Sequence, residues 1–255
     1  MNSTYKVIKF KKNKFENTDD FISVEEPLEI LLKYKDNDKW LTNSLSITMR
    51  TPGCDEDLVR GFLYNEQIIQ NINEIDNIES FGDKVGRYNI QNKIKVTLNN
   101  SKNINISKIK RDFMTNSSCG VCGKSSLDAL EITKKEKTSN SDPKLSKEII
   151  IQSPSILRNN QSEFSKTGGI HASGLFSADG KLISLREDVG RHNALDKMIG
   201  NALNKNQIVP KKQFITCSGR LNFELVQKVL MCNIGLMIGV GAPTSLAIDL
   251  ANRFD

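Results

Sequence analysis

Two cysteines separated by two residues, Cys119 and Cys122, form the part of this sequence with the clearest capacity for chemistry. They lie in a polar segment, residues 117–124, in which Gly120 and Gly123 allow the backbone to turn tightly. The thiolate is the reactive form of cysteine, and Lys124 together with the start of a following helix would favour it. We therefore predict an exposed, activated dithiol that takes up a chemical group in one place and gives it up in another.

Two other uses of a CxxC pair stay open. A zinc site needs two more ligands, and the other cysteines and histidines of the chain contain no second close pair. They are Cys54, Cys217, Cys232, His171 and His192. A thioredoxin-like redox pair usually carries a Trp and a Pro, and both are missing here. A zinc-stabilised nucleotide-binding module and a thiol oxidoreductase are the corresponding alternative functions.

Composition limits the class of protein. The five cysteines are an odd number and no secretion signal is evident, so we expect a reducing, cytoplasmic location and no structural disulfide. No apolar stretch reaches the length of a membrane span. The net charge of +6 and the sequence pI of about 9.0 favour anionic partners. Because the charges are dispersed and the chain has only four Tyr and one Trp for base stacking, nucleic acid is not expected.

The elements that must position these residues differ between the two halves of the chain. The first half alternates short β-like runs with polar breaks, which predicts a mixed or antiparallel sheet. The predicted strands are 5–10, 28–34, 41–49, 75–81 and 93–98, with one helix after Thr51-Pro52-Gly53. A domain boundary is placed near Lys110. The predicted units are an N-terminal domain over 1–110, a mobile CxxC loop over 111–124 and a C-terminal domain over 125–255.

The second half indicates an α/β domain. After a helix through Leu127 and Leu130, residues 134–154 are polar and predict an exposed connector with a short strand over 149–151. A hairpin is predicted over 170–186, with Asp179-Gly180 in its turn. The remaining pattern predicts a parallel sheet covered by helices. Its elements are a helix through 195–203, a strand over 213–217, a helix over 222–231, a strand over 235–240 and a helix over 244–252.

Three glycine-containing turns directly precede predicted helices in this half: residues 188–193, 218–222 and 239–245. Such turns lie at the carboxyl ends of strands in α/β sheets, where free N–H groups and helix dipoles favour an anion. Arg191 and Arg220 stand at helix starts, where a cation is disfavoured unless a negative group lies nearby. His171 and His192, the two histidines of the chain, lie beside these turns. We therefore predict a phosphate or pyrophosphate site that includes all four side chains.

Longer blocks of sequence resemble a known family. Residues 117–124, Thr167-Gly168-Gly169-Ile170-His171-Ala172, the run from Arg186 to Lys197 and the run from Ala242 to Ala247 are similar to the FdhD family of sulfur carriers for formate dehydrogenase. The resemblance covers about residues 25–251. It implies an α/β fold with a cytidine-deaminase-like C-terminal α/β domain behind a smaller N-terminal α+β domain, and a homodimer.

The resemblance also implies a function. A cysteine desulfurase would load sulfur as a persulfide onto the CxxC loop, with Cys119 as the carrier and Cys122 beside it. The protein, a sulfurtransferase, would pass that sulfur to the molybdenum or tungsten of a bis(molybdopterin guanine dinucleotide) cofactor of formate dehydrogenase. That cofactor would be a bound substrate, with no permanent cofactor or metal. The residues associated with it, besides the arginine turns, are Ile238, Gly239, Val240, Gly241, Ala242 and Pro243.

Overall fold

The structure, a computed structural model, describes residues 1–36, 38–99 and 143–255. The predicted CxxC loop with Cys119 and Cys122, the helix through Leu127 and Leu130 and the boundary near Lys110 lie outside the described residues. The strands are β1 Asn2–Lys11, β2 Lys14–Ser23, β3 Glu26–Asp36, β4 Lys39–Arg50, β5 Ile75–Val85, β6 Ile90–Leu98, β7 His171–Ser177, β8 Leu182–Asp188, β9 Gln213–Cys217 and β10 Met237–Gly239. The α-helices are α1 Asp55–Asn65, α2 Lys147–Asn159, α3 Ser162–Thr167, α4 Arg191–Asn204, α5 Phe223–Met231 and α6 Ser245–Phe254, with short 3₁₀ turns at Ile72–Glu74 and Pro210–Lys212.

The first half forms a four-stranded sheet in the order β4-β3-β6-β5. The sheet is mixed, because β3 pairs antiparallel with β4 and parallel with β6, as the sequence predicts. Every second residue of β3 is buried, and this face packs against the apolar stripe of α1. The packed residues include Leu28, Ile30, Leu32, Leu58 and Leu63.

The second half forms a four-stranded sheet in the order β10-β9-β7-β8 with helices on both faces. All five residues of β9 are buried, and neighbouring residues point to opposite layers. Ile215 packs with Leu195 of α4 and Leu225 of α5, whereas Phe214 packs with Leu157 of α2. The result is a three-layer α/β/α arrangement.

The predicted parallel pairing is confirmed for β9 and β10, but the sheet as a whole is mixed. Strand β7 runs antiparallel to both β8 and β9, because the predicted hairpin supplies two of the four strands. The comparison of this domain with cytidine deaminases remains a prediction.

The prediction of an exposed connector over residues 134–154 is wrong for its last part. Residues 147–159 form helix α2 instead of a loop with a short strand, although Pro154 lies within the helix. A proline cannot donate a hydrogen bond to the carbonyl four residues earlier. The hydroxyl of Ser153 donates to that carbonyl, the oxygen of Ile150, at 3.3 Å. Ser146 caps the helix by accepting from the N–H of Ile149, and Leu157 anchors it in the core.

Helices α1 and α4 join the two halves through two glycines. A Cβ atom on Gly61 would lie 1.9 Å from the carbonyl oxygen of Asp196, and a Cβ atom on Gly200 would lie 1.9 Å from that of Asp57. Real Cβ atoms do not approach oxygen so closely, so each helix occupies space that only a glycine leaves free. The two sheets are therefore held together by a backbone-to-backbone contact.

Candidate anion site at the sheet edge

The three predicted turns meet at one edge of the second sheet. Strand β7 runs antiparallel to β8 and β9, and β10 runs parallel to β9, so β8, β9 and β10 all end where β7 begins. The N–H of Ala172 donates to the hydroxyl of Ser218 at 2.9 Å, which joins the start of β7 to the turn after β9. The N–H of Gly241 donates to the carbonyl of Gly219 at 3.1 Å, which joins the turns after β9 and β10.

Gly219 lies at the centre of this edge. A Cβ atom there would lie 3.2 Å from Nδ1 of His171 and 4.0 Å from Cδ of Arg191. His171 and Arg191, which are 20 positions apart in sequence, therefore both lie against one glycine turn. The ring of His171 fills the space that a side chain at position 219 would need, so this turn packs closely against the imidazole.

Arg191 is the strongest candidate for binding a negative group. Its Nε atom is buried and has no hydrogen-bond partner among the described residues. Arg191 is the first residue of α4, whose N-cap Gly190 offers no side-chain oxygen and whose first turn contains no acidic residue. The positive end of the helix dipole and an unsatisfied guanidinium N–H thus occur together, and an anion would offset both. This end of α4 fits a phosphate group.

His171 is kept neutral by its surroundings. Burial lowers its pKa below the ordinary value, and the Arg191 guanidinium lowers it further, while Asp188 opposes the shift. A neutral imidazole has one donor and one acceptor nitrogen. A bound anion would favour the imidazolium form, so the proposed anion binding would be accompanied by proton uptake at His171.

His192 faces different partners from His171. Its Nε2 atom lies 2.8 Å from a carboxylate oxygen of Glu224 and 3.3 Å from Oδ1 of Asn222. The same Asn222 oxygen accepts from the N–H of Leu225 and so caps α5. His192 therefore links the first turns of α4 and α5. Its Nε2 is directed to Glu224, a contact that its position in the sequence does not indicate.

The segment Ile238–Pro243 lies on the β10 side of this sheet edge. The N–H of Val240 donates to the carbonyl of Cys217 at 3.0 Å, and Pro243 forms an isolated parallel bridge with Leu221. A Cβ atom on Gly241 would lie 2.8 Å from the backbone nitrogen of Arg220, so the two turns are in close contact. The side chain of Arg220 is exposed, unlike that of Arg191.

Buried polar residues, for which the sequence predicts no role of their own, hold the Arg191 turn in place. Asp188 is fully buried and accepts from the N–H groups of Gly190 at 2.9 Å and Thr51 at 3.1 Å. Lys197, 2% exposed, lies 2.7 Å from the Asp188 carboxylate and donates to the carbonyl of Thr51 at 2.7 Å. The Asn193 amide donates to the carbonyl of Met49 at 2.8 Å. In the sequence, these contacts are indicated by the polar residues that interrupt the apolar face of α4.

Three cysteines fall within the described residues. Cys217 and Cys232 are buried, and burial raises the pKa of the Cys217 thiol to about 11 although Ser173 hydrogen-bonds to it. Cys217 is thus protonated at neutral pH and unreactive. Cys54 is exposed at the start of α1. Within residues 1–36, 38–99 and 143–255, no three His, Cys, Asp or Glu side chains are grouped as metal ligands.

The fold and this edge define an α/β protein in which an uncapped helix start, an arginine and closely packed glycine turns lie together at one edge of a sheet. The sequence model of the FdhD/NarQ family matches residues 23–255, so the chain belongs to this family. It is 41% identical over 246 residues to the sulfur carrier protein FdhD of Sulfolobus acidocaldarius, covering 96% of this chain and 87% of the relative. It is 40% identical over 248 residues to the protein of that name from Streptomyces coelicolor, covering 96% and 85%.

A solved structure has the same fold. The crystal structure of a proposed formate dehydrogenase accessory protein from Desulfotalea psychrophila superimposes with a TM-score of 0.70 at 24% identity. The match covers 99% of this chain and 89% of that one. Separately, none of the helices in the described residues is both long and apolar enough to cross a membrane.

Proposed function

We propose that this protein is a sulfur carrier that takes sulfur from a cysteine desulfurase as a persulfide on Cys119. It delivers that sulfur to the molybdenum or tungsten of a bis(molybdopterin guanine dinucleotide) cofactor destined for formate dehydrogenase. The names of the relatives support sulfur carriage. The convergence of Arg191, His171 and the Gly219 turn at one sheet edge carries the cofactor-binding part of the proposal.

The residues at the edge fit a phosphate-containing substrate. Arg191 would donate its buried Nε–H to a phosphate oxygen, and the uncapped N–H groups at the start of α4 would face the same charge. Gly219 and Gly241 allow their turns to pack closely against His171 and Arg220, which holds the parts of this edge together. The cofactor, when bound, supplies the metal that receives the sulfur. The protein supplies the charge, the orientation and the sulfur atom.

The two cysteines and an external reductant supply all the electrons that the proposed sulfur transfer needs. The Cys119 thiolate attacks the terminal sulfur of the desulfurase persulfide, the sulfur–sulfur bond of that persulfide breaks, and the desulfurase leaves as its thiolate. Attack by the Cys122 thiolate on the Cys119 sulfur then forms a disulfide and releases hydrosulfide for the metal. The two thiols supply the two electrons that reduce the sulfane sulfur. A cellular dithiol reduces the disulfide before the next cycle.

Sulfur loading is tested directly with the purified protein. After incubation with a cysteine desulfurase and ³⁵S-cysteine, we expect label on wild type and on Cys54→Ala, and none on the Cys119→Ala/Cys122→Ala double variant. The Cys54 variant is the matched control because Cys54 is exposed. A mass increase of one or more sulfur atoms on the peptide that contains Cys119 would support the proposal. Equal labelling of the double variant would refute it.

Arg191→Ala should weaken the binding of GDP, used as a probe for the guanine dinucleotide, by about 1.5–3 kcal/mol, as expected for a lost charge-assisted hydrogen bond. Arg220→Ala should cost less than about 1 kcal/mol, because its side chain is exposed and screened by water. Lys205→Ala is the matched control, since it removes one positive charge at the opposite end of α4. Isothermal titration calorimetry measures all three. Unchanged affinity in Arg191→Ala would remove this helix start from the site.

A further inference from the structure

His192 and Glu224 form an ion-pair contact between the first turns of two helices. His192 is the second residue of α4 and Glu224 is the second residue of α5. Nε2 of His192 lies 2.8 Å from a carboxylate oxygen of Glu224, whose side chain is only 12% exposed. A carboxylate is stabilised at the positive start of a helix, and it can accept a hydrogen bond but cannot donate one. The hydrogen of this bond therefore belongs to Nε2 of His192.

The other ring nitrogen of His192 is left as an acceptor. In a neutral imidazole, a hydrogen on Nε2 leaves a lone pair on Nδ1. Nδ1 makes no hydrogen bond to any residue within 1–36, 38–99 and 143–255, whereas Nε2 contacts both Glu224 and Asn222. The side chain of His192 is 28% exposed. The pair thus presents a proton acceptor on a partly exposed ring.

Asn222 alone would favour the opposite tautomer. Its amide nitrogen lies 3.0 Å from Nε2 of His192, closer than its amide oxygen at 3.3 Å. That oxygen already accepts from the N–H of Leu225. Without Glu224, the amide would donate to Nε2 and the ring hydrogen would lie on Nδ1. Because an amide can donate or accept and a carboxylate can only accept, Glu224 decides the tautomer.

The pair lies at the same sheet edge as the candidate anion site. Asn222, which His192 contacts, ends the turn after β9. Gly219, in the same turn, packs against His171 and Arg191. His192 also helps to lower the pKa of His171, after burial and Arg191, so the two imidazoles lie within electrostatic reach of each other.

Sulfur delivery as proposed above needs a proton acceptor at this place. The hydrosulfide ion released from the cysteine pair, HS⁻, carries one proton, which has to leave when the sulfur binds the metal as sulfide. Nδ1 of His192 takes this proton as the sulfur–metal bond forms, so one S–H bond breaks and one N–H bond forms. No electrons are exchanged in this step. The Glu224 carboxylate balances the imidazolium until water accepts the proton.

We infer that His192 is the proton acceptor for sulfur delivery, and that Glu224 is the positioning residue that holds its ring in the Nε2–H form. The inference rests on the proposed function and adds the residue that removes the proton from the sulfur. A side chain that transfers a proton in this way contributes about 10²–10⁴-fold to a rate. The part of Glu224 is that of a carboxylate which fixes the tautomer of an active-site histidine.

The tautomer is tested by ¹⁵N NMR of the full-length protein labelled at histidine. Only two imidazoles contribute, and His171→Gln assigns them. At about pH 8.5, well above the ordinary titration range of histidine, we expect the Nε2–H form for His192 in wild type. Glu224→Leu should shift it toward the Nδ1–H form. Glu56→Leu, which removes the second residue of α1 and its contact with Arg60, is the matched control and should leave the signals unchanged. An Nδ1–H form in wild type would overturn the inference.

The rate of delivery is measured as the transfer of ³⁵S from the loaded protein to purified bis(molybdopterin guanine dinucleotide) cofactor. We expect His192→Ala to be slower by about a hundredfold or more. Glu224→Leu should be slower by about tenfold or more, because its neutral ring holds the hydrogen on the wrong nitrogen. Glu56→Leu should keep the wild-type rate. Added imidazole should restore part of the rate of His192→Ala, which a merely structural role would not allow. A wild-type rate in His192→Ala, or a slow rate that imidazole leaves unchanged, would contradict the inference.

Two further measurements separate this inference from the proposed function. His192→Ala should bind GDP with nearly wild-type affinity, and a loss of affinity as large as the loss of rate would make His192 a phosphate ligand instead and overturn the inference. Sulfur loading by the desulfurase does not involve the pair and should be normal in every variant. If loading is normal and only the variant rates are unaffected, the inference fails and the sulfur-carrier proposal stands. If wild type takes up no sulfur, the sulfur-carrier proposal itself fails.

Discussion

Replacing Lys197 by methionine is expected to lower the free energy of unfolding by about 3–5 kcal/mol, the usual cost of removing one partner of a buried ion pair. Lys197 is 2% exposed and Asp188 is fully buried, and their charged atoms are 2.7 Å apart. Methionine keeps most of the side-chain volume but leaves the Asp188 carboxylate without a counter-ion. Its remaining hydrogen bonds, from Thr51, Gly190 and Asn193, do not supply a full positive charge.

Urea denaturation of Lys197→Met, of Asp188→Asn and of the double variant measures this effect. The double variant should be less destabilised than the sum of the two single variants, because it contains no unpaired buried charge. Strict additivity, or a loss below about 1 kcal/mol for Lys197→Met, would contradict the assignment of a buried ion pair. The prediction matters for function because Asp188 also holds Gly190, the residue before Arg191.

Gly200→Ala is expected to destabilise the protein by about 1–3 kcal/mol or more, the cost of forcing extra atoms into a packed contact. In an ordinary exposed helix position the same change would stabilise by about 1 kcal/mol, since alanine favours helix more than glycine does. Here the new methyl group would lie 1.9 Å from the carbonyl oxygen of Asp57 and 2.7 Å from the nitrogen of Gly61. The neighbouring atoms belong to backbone and cannot rotate away.

The matched control is Asn204→Ala, an exposed position at the end of the same helix, which should be neutral or slightly stabilising. Thermal unfolding of the two alanine variants gives the comparison. A Gly200→Ala protein as stable as wild type would mean that α1 and α4 can separate at little cost.

The sequence permitted a good prediction of the sheet edge. The turns at 188–193, 218–222 and 239–245 combine glycine with a following amphipathic helix, and strand ends in α/β folds gather such turns at one side. The structure brings them together, with His171 and Arg191 both lying against Gly219. Local spacing was sufficient because each turn lies directly between a strand and the helix that follows it.

Contacts between distant segments could not be predicted in this way. Asp188 lies at a strand end and Lys197 lies nine residues later on a helix. Judged by residue type alone, either side chain could have faced solvent. Their burial depends on Thr51, which lies more than 130 positions earlier in the chain. Helix α2 was missed because Pro154 indicates a break, and only the position of Ser153 provides the replacement hydrogen bond.

Strand β2 was missed for another reason. Residues 14–23 are mostly polar and exposed, and their pairing with β1 follows from the turn at Lys12-Asn13 rather than from an apolar pattern. The anchoring contacts of this ribbon involve α3, more than 130 residues further along the chain.

The glycine contact between α1 and α4 limits how far the two sheets can move relative to each other. Carbonyl oxygens of each helix lie where a side chain of the other would be, so the two sheets cannot hinge without first pulling this contact apart. Arg191 starts α4, and its position is therefore set before any ligand arrives. The proposed cofactor would therefore meet a preorganised edge, and a molecule of the wrong size could not be accommodated by separating α1 from α4.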